Sequence, residues 1–253
     1  MRENQDSSGV SGNMLAMVPI ARIRTPFPQK FGVPRQSGLV EEIRARVVFE
    51  PEYRNPDALR GIEGFSHLWL LWHFHQAAGE GWSPTVRPPR LGGNTRMGVF
   101  ATRSPFRPNP IGLSCVKLLG TKKNEKEGTV LLVSGADLVD GTPILDIKPY
   151  LPYADAHPEA QGGFAPTPGD RLEVVCPPEW KEKLSPETAA ALFGVLACDP
   201  RPSYQNDPDR VYGMEFDGYT VQFTVADERL VVKNIFPEKK ESRRSKYGTH
   251  LLR

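Results

Sequence analysis

Three cysteines, Cys115, Cys176 and Cys198, lie far apart and are odd in number. That pattern excludes a disulfide framework and a Cys-rich zinc site. No apolar run is long enough to span a membrane as a helix. The opening MRENQDSSGVSGN has no apolar signal core and reads as a disordered tail over residues 1–13, so cytoplasmic residence is the expectation. There is no P-loop, dinucleotide fingerprint or serine nucleophile elbow, and Gly92-Gly93-Asn94 is too weak a pattern for a phosphate loop. Ten-residue helices do not alternate with the strand-like runs, which excludes a doubly wound parallel sheet. Acidic residues are missing altogether from Gly81 to Asn124.

The 25 prolines and 23 glycines punctuate short β-like runs. Met17–Arg24, Ile43–Phe49, Phe65–Gln76, Met97–Thr102, Ile111–Leu119 and Thr129–Ser134 are the strand candidates of the first part. Ile43, Ala45, Val47 and Phe49 alternate with Arg44 and Arg46, as a half-buried strand requires. FSHLWLLWHFHQ is apolar on both faces and reads as a central strand, with His67, Trp69, Leu71, His73 and His75 on one side by period two. The spacing predicts a β-barrel or strongly curved sheet over residues 14–156. A linker, HPEAQGGFAPTPGD, covers 157–170. A small α+β unit over 171–237 follows, with a strand at Arg171–Val175. Its helix opens on the Ser185 cap and Pro186, and a hairpin turns at Asp217-Gly218. Residues 238–253 form a basic tail. The fold class is therefore mainly β, without a Rossmann-type domain.

The acid-free stretch holds Arg87, Arg90, Arg96, Arg103, Arg107, Lys117, Lys122 and Lys123, against a net charge of +2 for the whole chain. Such asymmetry points to an anion-binding face. Within it, SPFRPNP is a stiff loop, because Pro105, Pro108 and Pro110 fix φ and exclude helix and central strand. A stiff loop carrying Arg, Ser and Asn suits ligand binding. His67, His73 and His75 could share a metal ion, but no acid or cysteine accompanies them, and hydrogen-bonded structural histidines fit as well. No metal is expected. Asp137, Asp140 and Asp146 surround the DGTP turn. A paired-carboxylate hydrolase would use such groups, while a turn or surface role accounts better for Asp137, and Asp140-Gly141 is both a turn former and an acceptor for hydroxyl or amine donors.

KFGVPRQSGLV, GFSHLWLLWHFHQ, RPPRLGGNTRMGVFATRSPFRPNPIGL and DLVDGTPILDIKPYLPYAD together resemble the TrmO (YaeB) family of S-adenosylmethionine-dependent tRNA methyltransferases. DPRPSYQ and VYGMEF resemble its smaller C-terminal domain. The resemblance spans nearly the whole chain apart from tails and linker. It implies a small β-barrel binding S-adenosylmethionine, a homodimer formed near that site, and N6-methylation of N6-threonylcarbamoyladenosine at position 37 of a tRNA anticodon arm. It implies cofactor contacts from Ser37, Gly38 and Leu39, from His75 and Gln76, from Arg103 and Leu113, and from Asp140, Gly141, Thr142 and Pro143. Relatives commonly carry proline at the position of Ser37, which favours a backbone contact there.

The target nitrogen lies between an adenine ring and a carbamoyl group, so its lone pair is delocalised and its proton must leave. Arg107 and Asn109 are the candidates for holding the modified base, with Asp146 or Tyr150 accepting the proton or stabilising charge. Arg87, Arg90 and Arg96 are the candidates for tRNA phosphates. Two alternatives remain at this stage, an RNA-binding barrel without catalysis and a metal-dependent barrel hydrolase.

Overall fold

A computed structural model describes residues 15–77, 81–202, 205 and 207–238. The elements in chain order are β1 (Ala21–Arg24), β2 (Arg44–Phe49), β3 (His67–His73), β4 (Thr85–Val86), β5 (Met97–Gly98), β6 (Ile111–Asn124), β7 (Gly128–Ser134), β8 (Pro143–Pro149), α1 (Pro152–Asp155), β9 (Glu173–Val175), α2 (Pro178–Lys181), α3 (Pro186–Ala197), β10 (Tyr212–Phe216), β11 (Tyr219–Ala226) and β12 (Arg229–Pro237).

Six strands close on themselves in the order β1-β2-β7-β6-β3-β8, and β8 returns to β1 through Ala21↔Ile144 and Arg22↔Pro143. Alternation decides what fills the interior. In β3, Leu68, Leu70 and Trp72 point inward while His67, Trp69, Leu71 and His73 form the half-exposed outer face. Ile23, Ala45, Val47, Val116, Leu131, Val133 and Ile144 complete the filling. A closed ring leaves no open edge to be covered. Three 3₁₀ turns between β2 and β3 add Tyr53, Leu59 and Ile62 to this core.

The second core belongs to the sheet β10-β11-β12-β9, on which α3 packs. Ser185 Oγ accepts from the Thr188 N–H, as expected of a helix cap. The loop 25–42 joins the two cores. Phe27 is fully buried with its ring edge-on to Phe216 at 5.4 Å, and Val40 and Ile43 lie in the same cluster. A Cβ on Gly194 of α3 would stand 2.6 Å from Val40 Cγ1, so the helix reaches this loop only because that residue has no side chain. The length of FPQKFGVPRQSGLV thus reflects packing against the second unit.

The strand expected at Met97–Thr102 is confined to Met97–Gly98 and gives way to a 3₁₀ turn at Val99–Ala101. The strand expected to run to Gln76 stops at His73, and His75–Ala77 form a 3₁₀ turn that carries His75 off the outer face of β3. Conversely, β6 runs on to Asn124 and leads into the hairpin with β7.

Candidate functional site

At one rim of the barrel a cleft of about 450 Å³ opens where four segments meet. They are loop 33–36, the end of β3 with the His75–Ala77 turn, the 102–113 segment, and 137–142. Prolines 105, 108 and 110 hold the third segment stiff. Its backbone is braced by Arg107, whose guanidinium donates to the carbonyls of Thr102 (3.0 Å) and Ser104 (3.3 Å). Arg103 donates to the side chain of Gln36 and so ties this segment to the first.

Trp72 and Phe74 give the cleft an aromatic wall, edge to face at 4.2 Å between centroids. Trp72 lies directly on the backbone of Gly112, where a Cβ would come within 2.3 Å of Cε2. Its indole N–H donates to Ser114 Oγ at 2.9 Å, and Ser114 Oγ donates to Asp137 Oδ1 at 2.5 Å. Lys30, Arg35, Arg103 and Arg107 line the cleft, and Asp137 is its only acid among the described residues. Burial pushes the Asp137 carboxyl up to about 6, against the opposing effects of the Ser114 hydrogen bond, nearby backbone amides and Arg103. Burial lowers the His75 pKa, with a backbone hydrogen bond at His73 acting in the opposite direction. Asp137 therefore titrates nearer neutrality than an ordinary carboxyl.

The structure brings together His75, Gln76, Arg103, Arg107, Leu113 and Thr142 on this cleft. The remaining candidates lie beside it or away from it. Ser37 Oγ accepts from the Cys115 N–H at 3.1 Å, and the Gly38 N–H donates to Gly135 at 2.8 Å. Leu39 packs on the second core. It is Val33 to Gln36, just ahead of them, that face the cleft. Asp140 accepts from the Thr25 N–H at 3.1 Å and pairs with Arg24 at 3.4 Å, and Gly141 bonds to Ile23 of β1. Pro143 opens β8. The DGTP turn is thereby fastened to β1, and Asp137, Leu138, Val139 and Thr142 form the wall.

Asp146 sits on the outer face in the row Leu113–Leu71–Asp146, two strand spacings or about 10 Å from Leu113. It is paired with Lys148 at 2.9 Å. Tyr150 lies at the opposite end of β3, against Trp69 and His67. Asn109 is exposed in the loop outside the cleft. Arg96 donates to Thr85 Oγ1 at 3.0 Å, Arg87 is exposed, and Arg90 donates to the Thr167 and Pro168 carbonyls, both at 2.6 Å. Arg90 therefore anchors the linker. A second cleft of about 520 Å³ lies on the other side of Val33–Arg35, lined by Arg35, Arg90, Arg171 and Arg201 along with Asp170 and Asp199.

Asp137, Trp72 and Gln36 were not singled out as site residues from sequence. The ADLVDGTP string marks Asp137 as a turn residue, and nothing in its spacing separates it from Asp140. Among the described residues no group of three or more His, Cys, Asp or Glu converges on a point suited to a metal ion.

The family pattern described as the tRNA-methyltransferase O N-terminal domain matches residues 22–156, and that of the TrmO C-terminal domain matches residues 170–238. A protein of Escherichia coli (strain K12) named tRNA (adenine(37)-N6)-methyltransferase is 45% identical over 86% of this chain and 96% of its own length. One of the same name from Eikenella corrodens is 53% identical over 68% of this chain and 97% of its own. The crystal structure of TrmO from Pseudomonas aeruginosa superposes with a TM-score of 0.72 at 34% identity, covering 88% of this chain and 99% of that one. With both halves matched and relatives alike over nearly their full length, the chain belongs to the tRNA-methyltransferase O family.

Proposed function

We propose that the protein is a tRNA methyltransferase that transfers a methyl from S-adenosylmethionine to N6 of N6-threonylcarbamoyladenosine at position 37. The observation that carries this reading is the rim cleft. His75, Gln76, Arg103, Leu113 and Thr142, drawn from distant parts of the chain, converge on one space of about 450 Å³. That volume suits a nucleoside-sized ligand. S-adenosylmethionine has an adenosine part and a zwitterionic amino-acid part, and the lining fits both. Trp72, Phe74 and Leu113 offer apolar surface for the nucleoside, and Arg103, with Lys30 or Arg35, offers positive charge to the carboxylate. When bound, the cofactor supplies an electrophilic methyl, so the protein needs no metal to activate it.

The chain's own residues then have positioning to do. Arg107 and the stiff 105–110 segment form the mouth where the modified base would enter. The base comes from an anticodon arm, whose loop bases splay outward and whose phosphates attract cations. Arg87 and Arg96 stand exposed in the acid-free stretch that leads into that segment, and the arginines of the second cleft extend the positive surface towards the C-terminal unit. In this reading 14–156 is the cofactor-binding domain, 157–170 the linker and 171–237 an accessory domain, working in the cytoplasm where tRNA is found. Leu113, 51% exposed, and Phe100, 75% exposed, leave apolar surface beside the cleft for a second copy of the chain.

The test is calorimetric titration with S-adenosylmethionine, followed by incubation with threonylcarbamoylated tRNA and mass spectrometry of the nucleosides. Saturable binding and a gain of one methyl on the modified adenosine are expected. Absence of cofactor binding would overturn the reading.

A further inference from the structure

Methyl transfer to the carbamoylated nitrogen must dispose of a proton, and the carboxylate expected to take it, Asp146, is engaged elsewhere. Asp146 is paired with Lys148 on the outer face, and Asp140 is bound to Arg24 and the Thr25 N–H. The cleft holds one acid, Asp137, among the described residues. Its orientation is set by a hydrogen-bond chain whose direction is fixed by chemistry. An indole N–H only donates. Trp72 Nε1 therefore occupies a lone pair of Ser114 Oγ, which leaves the hydroxyl hydrogen for Asp137 Oδ1 at 2.5 Å. Trp72 is in turn held flat on Gly112. A carboxylate with one oxygen held this way is pre-aimed before any ligand arrives.

We infer that Asp137 is the proton acceptor of the reaction, with Ser114 and Trp72 as the residues that position it; this rests on the methyltransferase reading above. As the nitrogen–carbon bond forms and the carbon–sulfur bond breaks, the sulfonium becomes a neutral thioether. The N6 proton passes to the Asp137 carboxylate and leaves to solvent after product release. The nitrogen keeps its electron pair in the new bond and ends uncharged. Arg103 acts electrostatically on Asp137, and Lys30, Arg35, His75 and Arg107 line the same cleft. Loss of the proton from N6 is thus favoured in a cationic surrounding, where Asp137 is the one carboxylate among the described residues able to receive it.

The experiment measures single-turnover methylation of threonylcarbamoylated tRNA against pH, alongside calorimetric affinity for S-adenosylmethionine. The wild type should show a rate that rises with pH through about 6. Asp137→Asn should lower the plateau rate by about 10²- to 10⁴-fold, with cofactor affinity within about threefold of wild type and circular dichroism unchanged. Ser114→Ala removes a hydrogen bond that favours the charged carboxyl, so its rising limb should move to higher pH. His75→Asn, which changes the other titrating wall residue, should keep the limb whatever it does to the rate. Asp137→Asn with a rate within threefold of wild type, or with affinity lost in step with rate, would overturn the assignment; the second result would make Asp137 a cofactor ligand. So would a Ser114→Ala limb that does not move, which also serves if Asp137→Asn fails to fold. Wild-type protein that binds cofactor but methylates no threonylcarbamoylated tRNA would count against the proposed function itself.

Discussion

Gly112→Ala is the substitution whose outcome the geometry sets most sharply. The added Cβ would stand 2.3, 2.4 and 2.6 Å from Cε2, Cζ2 and Cδ2 of Trp72. Carbon atoms rest at about 3.5–4.0 Å, so the indole or the strand must retreat by roughly 1.2–1.7 Å. Trp72 is buried against Phe74 and has little room to move. Overpacking of this kind costs about 1–3 kcal/mol, and breaking the Trp72–Ser114 hydrogen bond adds about 1 kcal/mol. Alanine's smaller loss of backbone freedom on folding returns about 0.5–1 kcal/mol. The clash wins, with a net loss of about 2 kcal/mol, which for a chain of this size lowers Tm by roughly 4–8 °C. Thermal unfolding followed by tryptophan fluorescence measures it. Gly213→Ala on β10 is the control, since a Cβ there meets nothing within 4 Å. A Gly112→Ala protein that melts within about a degree of wild type, or that binds S-adenosylmethionine with unchanged affinity, would refute the contact between Trp72 and this strand as the support of the cleft.

Ser185→Ala should remove the Thr188 N–H acceptor at the start of α3 and cost about 1 kcal/mol, read from urea unfolding with unchanged slope. Asp140→Ala should cost about 1 kcal/mol through loss of the Thr25 contact and should weaken cofactor binding less than Arg103→Ala does, since Arg103 and not Asp140 faces the cleft; calorimetry ranks the two. Asp137 has a folded-state pKa raised from 3.8 to about 6, so its contribution to stability is complete below about pH 4 and is lost as pH rises through 6. Asp137→Asn should therefore gain stability relative to wild type between pH 4 and pH 7, and denaturation at the two pH values tests the sign. Affinity for tRNA should fall steeply with salt, and the slope should decrease by about one for each phosphate-contacting arginine removed; Arg87→Ala that leaves the slope unchanged would take Arg87 out of the interface.

Much of the fold was legible because alternation and turn chemistry are local. Ala45, Val47 and Phe49 alternate with arginines in sequence and face inward in β2. Ser185-Pro186 starts a helix wherever it occurs with apolar residues to follow, and Asp217-Gly218 turns the β10–β11 hairpin. The departures came from packing and from contacts distant in sequence. Met97–Thr102 has strand-like composition, yet most of it is drawn into a 3₁₀ turn beside the stiff proline loop. The acid-free stretch suggested a single basic face, but β6 carries Lys122 and Lys123 roughly 40 Å along the strand from the cleft end. Arg90 was spent on the linker carbonyls.

By itself the sequence determined the family, the mainly β class and the segments that approach the site, because those follow from residue patterns read a few positions at a time. Only the tertiary structure decided which carboxylate faces the cleft. Asp137, Asp140 and Asp146 are alike in the chain and differ in what surrounds them: a salt bridge on an outer face, a turn fastened to β1, and a buried hydrogen-bond chain from Trp72 through Ser114. Desolvation and hydrogen bonding depend on neighbours that lie 23 and 65 residues away from Asp137 in sequence, so the character of that carboxyl arises only when the barrel closes.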